Sequence, residues 1–245
     1  MRNTFCEFLK LSQQSPNASQ LVLDRCSIGL LKNSFYGAIG SAIIFLIVFL
    51  TAGLVLLITG SPALLNVLVV ISATAFAINA VSGFRKEAST KWNKYELAAP
   101  VRRKDIVKSR YISYMSWIIF GIILSAVFAG LAVLVHGNLY FYHVIRDPLT
   151  LFCLSIGIAL LMGTLYYPAI YLFGADRNEV IIIISLLDAV GIAFAIIWLI
   201  NAGNDFNVLS DPEYYFFIAL FLGIVIILFL LSYVLTVAIY RRKEY

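Results

Sequence analysis

Asp188 is the residue whose type and position are most unusual here, because it is an acidic side chain deep within a long apolar stretch. A charge at the centre of a bilayer costs a few kcal/mol, so we expect Asp188 to face protein or water. Helical spacing predicts that Ser185, Gly191 and Ala195, which are small or polar, share its face. Two interpretations of Asp188 and Ser185 stay open: a polar point on a substrate path, or a hydrogen-bonded interface between helices.

Other residue types that could do chemistry are sparse and badly spaced. The three cysteines have no C-x-x-C spacing, and the two histidines are too few for a metal cluster. The sequence contains no G-x-x-x-x-G-K-[ST] phosphate loop. An intramembrane enzyme would need a second polar group converging on Asp188, and the sequence offers none at that depth. We therefore expect no catalytic residue, no metal and no cofactor bound by this chain.

The composition indicates a membrane protein, so the elements that position Asp188 and Ser185 should be transmembrane helices. Of 245 residues, 62% are hydrophobic and 13% charged, and the mean hydropathy is +0.94. A soluble domain is about half apolar and about a quarter charged. Six stretches are long enough to cross a bilayer of roughly 30 Å. The sequence predicts an all-α fold with transmembrane helices at 37–59, 62–83, 112–136, 148–174, 179–201 and 212–240.

The basic residues indicate how these helices are oriented. Of the 18 Lys and Arg residues, all except Arg146 fall on one side of the predicted spans. The positive-inside rule assigns that side to the cytoplasm, so a multi-pass protein of the cell membrane with both termini inside is predicted. We expect a cytoplasmic amphipathic segment at 1–36 with an interfacial helix, a transmembrane domain at 37–240 and a basic tail at 241–245. Tyr111, Tyr114, Trp117 and Tyr240 are predicted to belong to the aromatic belt on the inner side, and Trp198 and Tyr215 to the outer belt.

The connection at 85–111 between the second and third spans carries nine basic residues. Trp92, Tyr95 and Ala99 recur at helical spacing, and Pro100 suits the first position of a second helix that continues into the third span. Two interpretations compete. The segment could lie on anionic headgroups, held by its basic and aromatic side chains. Alternatively, a short helix could dock into a groove of a cytoplasmic partner.

The run from Trp92 and Tyr95 through 97–107 to Arg110 and Tyr111 resembles the cytoplasmic loop of small ATP-binding cassette exporter permeases of the type-2 class. The six-span layout is similar over the whole chain, and within the family it is most similar to permeases of phenol-soluble-modulin peptide exporters. Ala99 stands where the family tends to have Leu, and Arg85-Lys86-Glu87 where it often has an acidic pair.

The resemblance implies a separate ATPase subunit that binds ATP and Mg and docks on this loop. The implied docking residues are Lys91, Trp92, Lys94, Tyr95, Leu97, Pro100, Arg102 and Arg103.

The function expected from all of this is a permease subunit of an ATP-driven exporter. Six spans form a small bundle, which favours a homodimer in the bilayer, and apolar walls favour amphipathic peptide or lipid-like cargo. No nucleic-acid partner is expected. One alternative is a membrane protein that works without an ATPase, either a secondary transporter or a self-immunity protein. Secondary transporters usually show broken helices in matched halves, and only the fourth span has an internal proline. An intramembrane enzyme is the other alternative.

Overall fold

The computed structural model describes residues 16–89, 103–137, 146–201 and 211–242. These residues form six long helices and no strand. A single 3₁₀ turn, Ala175–Arg177, separates the fourth helix from the fifth. The helices are α1 (Pro16–Thr59), α2 (Pro62–Ser89), α3 (Arg103–His136), α4 (Arg146–Phe173), α5 (Asn178–Asn201) and α6 (Asp211–Arg242).

All six helices are long and apolar enough to cross a membrane, which confirms the predicted all-α fold with six spans. The helices differ from the predicted spans mainly by extending beyond them. Helix α1 begins at Pro16 and runs unbroken into the first span, so the predicted interfacial segment and that span share one helix. Helix α3, described from Arg103, is continuous with the third span as expected, while its predicted start at Pro100 lies outside the described residues.

Proline and glycine account for the sharp helix ends. Pro62 begins α2 directly after Ser61, where a missing N–H costs nothing. Gly60, with a φ of 62°, ends α1, and its N–H donates to the carbonyl of Leu56 at 2.9 Å. Gly174, with a φ of 88°, ends α4 in the same way, with its N–H 3.0 Å from the carbonyl of Ile170. Both glycines occupy the left-handed conformation that residues with a side chain rarely adopt.

Helices α2 and α4 form the centre of the bundle. In each, 56% of the apolar span is buried, against 17% in α1 and 22% in α5 and α6. Helix α2 packs against α1, α3 and α4, and also touches α5. Helix α4 packs against α5 and α6 as well as α2. Alanines such as Ala73 and Ala77, both 0% exposed, let α2 approach its neighbours closely.

The two ends of the bundle differ in charge. We call the end where α2 ends and α3 begins the basic end; it also carries the Ala175–Arg177 turn and the last residues of α6, Arg241 and Arg242. We call the other one the opposite end, where Arg146 begins α4. Trp198 and Tyr215 are exposed near the opposite end, as an aromatic belt requires.

Candidate functional site

Two features of the bundle could serve function: a buried group of tyrosines near the basic end, and a set of polar side chains exposed on α1, α2 and α5. The tyrosine cluster consists of Tyr111 and Tyr114 on α3 and of Tyr166 and Tyr167 on α4. All four are at most 5% exposed. The prediction that Tyr111 and Tyr114 belong to an interfacial belt is therefore wrong, as it also is for the buried Trp117 and Tyr240.

Every hydroxyl of the tyrosine cluster has a hydrogen-bond partner on another element. The Tyr111 hydroxyl lies 3.0 Å from Ser232 Oγ and 2.9 Å from Thr236 Oγ1, which joins α3 to α6. Tyr114 donates to the carbonyl of Ala159 at 2.6 Å, which joins α3 to α4.

The two tyrosines of α4 bond in the same manner. Tyr166 donates to the side-chain oxygen of Asn178, the first residue of α5, and lies 3.2 Å from the carbonyl of Val81 on α2. Tyr167 donates to the carbonyl of Arg110 on α3 at 3.1 Å. Buried polar groups must be paired, and here each pairing also ties one helix to another.

The aromatic rings of the cluster also pack against one another. The centroids of Tyr111 and Tyr167 are 4.3 Å apart in a stacked arrangement, and Tyr114 meets Tyr167 edge to face at 5.5 Å. Phe229 of α6 contacts both Tyr111 and Tyr114. The start of α3, which directly follows the connecting loop, is thus fixed to α4 and α6 by both rings and hydroxyls.

Gly163 makes room for the Tyr114 ring. A Cβ atom at Gly163 would lie 2.5 Å from Tyr114 Cε1. Gly163→Ala is therefore expected to displace the ring and lower the thermal stability, because overpacking costs about 1–3 kcal/mol. Gly130→Ala is the matched control: its Cβ meets nothing within 4 Å, so helix propensity alone should stabilise it by up to about 1 kcal/mol. Opposite shifts in the melting temperature of the two purified variants are expected, and equal shifts would contradict the packing assigned to Gly163.

The second feature is the distribution of exposed polar side chains. Leaving aside helix ends and interfacial aromatic residues, the exposed polar side chains of the described spans are Thr51, Asn66 and Asp188. We call them the polar face. They lie on α1, α2 and α5; α2 contacts both of the others, and α1 and α5 do not touch in the described part of the chain. Within 112–136 of α3, 148–173 of α4 and 216–240 of α6, the exposed side chains are all apolar, and the exposed Lys108 of α3 lies about one turn before residue 112.

Asp188 lies ten residues after Asn178, which corresponds to about 15 Å along the helix and hence to the middle of the membrane. It is exposed, as are Gly191 and Ala195 on the same face. Ser185 is 2% exposed and packs inside the bundle, so the structure separates it from Asp188. Among the described residues, the exposed Asp188 side chain is not enclosed between two helices.

Sequence reasoning missed the amide of Asn79. Asn79 lies on α2, its side chain is 0% exposed, and neither Oδ1 nor Nδ2 has a hydrogen-bond partner among the described residues. An unpaired buried amide costs about 1–3 kcal/mol. Its signal in the sequence was an asparagine among alanines and isoleucines in an otherwise apolar span.

Most of the docking residues implied by the resemblance lie in the connection between α2 and α3. Lys91, Trp92, Lys94, Tyr95, Leu97, Pro100 and Arg102 lie outside the described residues, and of Arg103 only its place at the start of α3 is described.

Comparison with known proteins identifies the family. The profile of the family described as ABC-2 family transporter protein matches residues 29–241, which is most of the chain. No curated protein and no solved structure matched. The match covers all six spans together with the 85–111 connection. This family supplies membrane subunits whose partner is an ATPase. The chain therefore belongs to the ABC-2 transporter family and is a multi-pass permease subunit of an ATP-binding cassette transporter.

Proposed function

We propose that the chain is one half of a homodimeric exporter permease that moves amphipathic cargo, with a separate ATPase docked on the 85–111 connection. The observation that carries this proposal is the polar face, and above all the exposed Asp188. Lipid accepts apolar side chains and rejects a mid-membrane carboxylate, so Asp188 is suited to contact protein or a polar cavity.

A second copy of the chain accounts for this face best. Few residues of α1 and α5 are buried within one chain, and both helices contact α2, which carries Asn66. Two copies joined through this face would remove Asp188 from hydrocarbon and enclose a path between them. A dimer joined through the apolar surfaces of α3, α4 and α6 would leave Asp188 in hydrocarbon, and the path between its copies would have no polar wall.

The cargo is inferred from the side chains that surround the polar face. Large apolar residues such as Ile47, Ile184 and Leu187 are all more than half exposed beside Thr51 and Asp188. A mixed surface of this kind favours a cargo that presents both apolar and polar groups, such as an amphipathic peptide or a lipid-like molecule. The resemblance to phenol-soluble-modulin exporters supports a peptide.

The docking proposal rests on the connection and on the tyrosine cluster. Nine basic residues with Trp92 and Tyr95 offer a partner both charge and aromatic anchors. The cytoplasmic location follows from the positive-inside rule. The tyrosine cluster holds the start of α3 to α4 and α6, so movement of the docked loop would be passed to the bundle rather than absorbed by a loose helix end.

Single-cysteine cross-linking tests the dimer. In a chain whose three cysteines are replaced by serine, Thr51→Cys or Gly191→Cys is treated with a short bismaleimide in native membranes. We expect a covalent dimer from these positions and none from the matched controls Ile123→Cys and Val234→Cys on the apolar surfaces of α3 and α6. Equal cross-linking at all four positions would contradict the proposed interface.

A further inference from the structure

A cavity of about 280 Å³ lies between α4, α5 and α6 near the opposite end, and its lining includes none of Thr51, Asn66 and Asp188. Its walls are apolar. This volume is at the lower end of the roughly 300–1,000 Å³ typical of small-molecule pockets, so it suits a single slender chain. The lining includes Cys153, Leu154, Ile197, Phe217, Ile218 and Phe221.

The cavity runs along the helices into the membrane. From Tyr214 to Phe221 it follows α6 over seven residues, or about 10 Å. Phe221 forms its floor: the ring lies against Gly157 of α4, where an added Cβ would be 2.5 Å from Phe221 Cε1. The cavity, which we call the slot, therefore starts near the end of the bundle and follows about 10 Å of the roughly 15 Å depth of one leaflet.

The mouth of the slot is polar and carries a cation. The hydroxyl groups of Thr150 and Tyr214 are hydrogen-bonded across the rim. The guanidinium carbon of Arg146 sits 4.0 Å from the centre of the Tyr214 ring, a cation–π contact that holds the charge at the mouth.

We propose that this slot holds one acyl chain of a phospholipid from the leaflet at the opposite end, with its phosphate at Arg146. The apolar walls match an acyl tail, the length of about 10 Å matches the part of the tail nearest the headgroup, and the Arg146 cation beside Tyr214 matches the phosphate. The proposal is independent of the export function, because it concerns a lipid bound outside the polar face.

Photo-cross-linking with a defined lipid tests the site. The purified chain is placed in nanodiscs that contain a diacyl phosphatidylglycerol with a diazirine in one acyl chain. After irradiation, modified peptides are mapped by mass spectrometry. We expect the yield at Cys153, Leu154 and Phe217 to exceed several-fold the yield at the lipid-facing Leu231 and Val234 of α6. A diacylglycerol with the same chain, which has no phosphate, should show no such preference.

Two variants test separately the binding of the acyl tail and the binding of the phosphate. Arg146→Gln should lower the yield in the slot several-fold and leave the yield at Val234 unchanged. Cys153→Trp should fill the slot and abolish labelling of its other walls, whereas Val234→Trp, a matched addition on the lipid-facing surface, should not. Equal labelling of slot and surface, or a slot yield that is indifferent to Arg146→Gln or to the missing phosphate, would overturn the proposal.

Discussion

Replacing both Trp92 and Tyr95 with alanine is expected to uncouple the permease from its ATPase while leaving it inserted in the membrane. Aromatic residues are the commonest binding hot spots, and each truncation costs about 2 kcal/mol or more when the side chain is an anchor. Loss of both anchors should lower the amount of co-purified ATPase by at least about tenfold. ATP-driven uptake of a fluorescent amphipathic peptide into proteoliposomes should fall with it.

The matched control changes the same residue types at the other end of the bundle. Trp198 and Tyr215 are exposed near the opposite end, and Trp198→Ala with Tyr215→Ala removes the same atoms far from the connection. This double variant should retain the ATPase and transport. If the Trp92 and Tyr95 variant retained both as well, the segment would be a membrane-surface element that lies on headgroups, and the docking proposal would be withdrawn.

Replacement of Asp188 with leucine is expected to ease membrane insertion and to impair transport. On insertion scales, leucine in place of aspartate at the centre of a helix is favoured by about 3 kcal/mol. A single chain should therefore insert at least as well as the unaltered one. Transport should fall by at least about tenfold if the carboxylate contacts the second copy or the cargo, because a buried polar partner is then left unpaired. Membrane-inserted protein and peptide uptake are measured on the same preparation.

Two further variants isolate the role of the carboxylate. Asp188→Asn keeps hydrogen bonding without the charge, so restored transport would assign Asp188 to an interface and continued loss would assign it to the cargo path. Ile184→Leu changes the shape of the same face one turn away without changing its polarity and should leave transport intact. Unimpaired transport by Asp188→Leu would remove the main support for the polar face.

The spans were predictable because each is a long apolar run that ends at a strong local signal. Ser61-Pro62 and Gly60 mark one junction on sequence alone, and the helices end there. The helical segments that extend beyond the apolar spans were harder to predict, because a polar helix gives no signal in a hydropathy profile. The continuation of α1 back to Pro16 is the largest example.

The buried tyrosines could not be predicted in the same way. In sequence, a tyrosine near the end of a span fits the interface or the interior equally well, and only the packing of other helices decides between them. Ser232 and Thr236, more than 120 residues from Tyr111, supply the hydroxyl partners that allow its burial. The different environments of Ser185 and Asp188 could not be predicted either. The two residues are three apart on the same helix, yet Ser185 is buried and Asp188 is exposed.

The length of α1 has a mechanical consequence. Its 44 residues form one helix, and the apolar run of its sequence covers 37–59, so residues 16–36 precede the span over about 31 Å. A tilt of this segment by about 10° would move its far end by about 5 Å, roughly one helical pitch. A change in the tilt of α1 within the membrane would therefore displace the far end of the helix by a distance that another protein could sense.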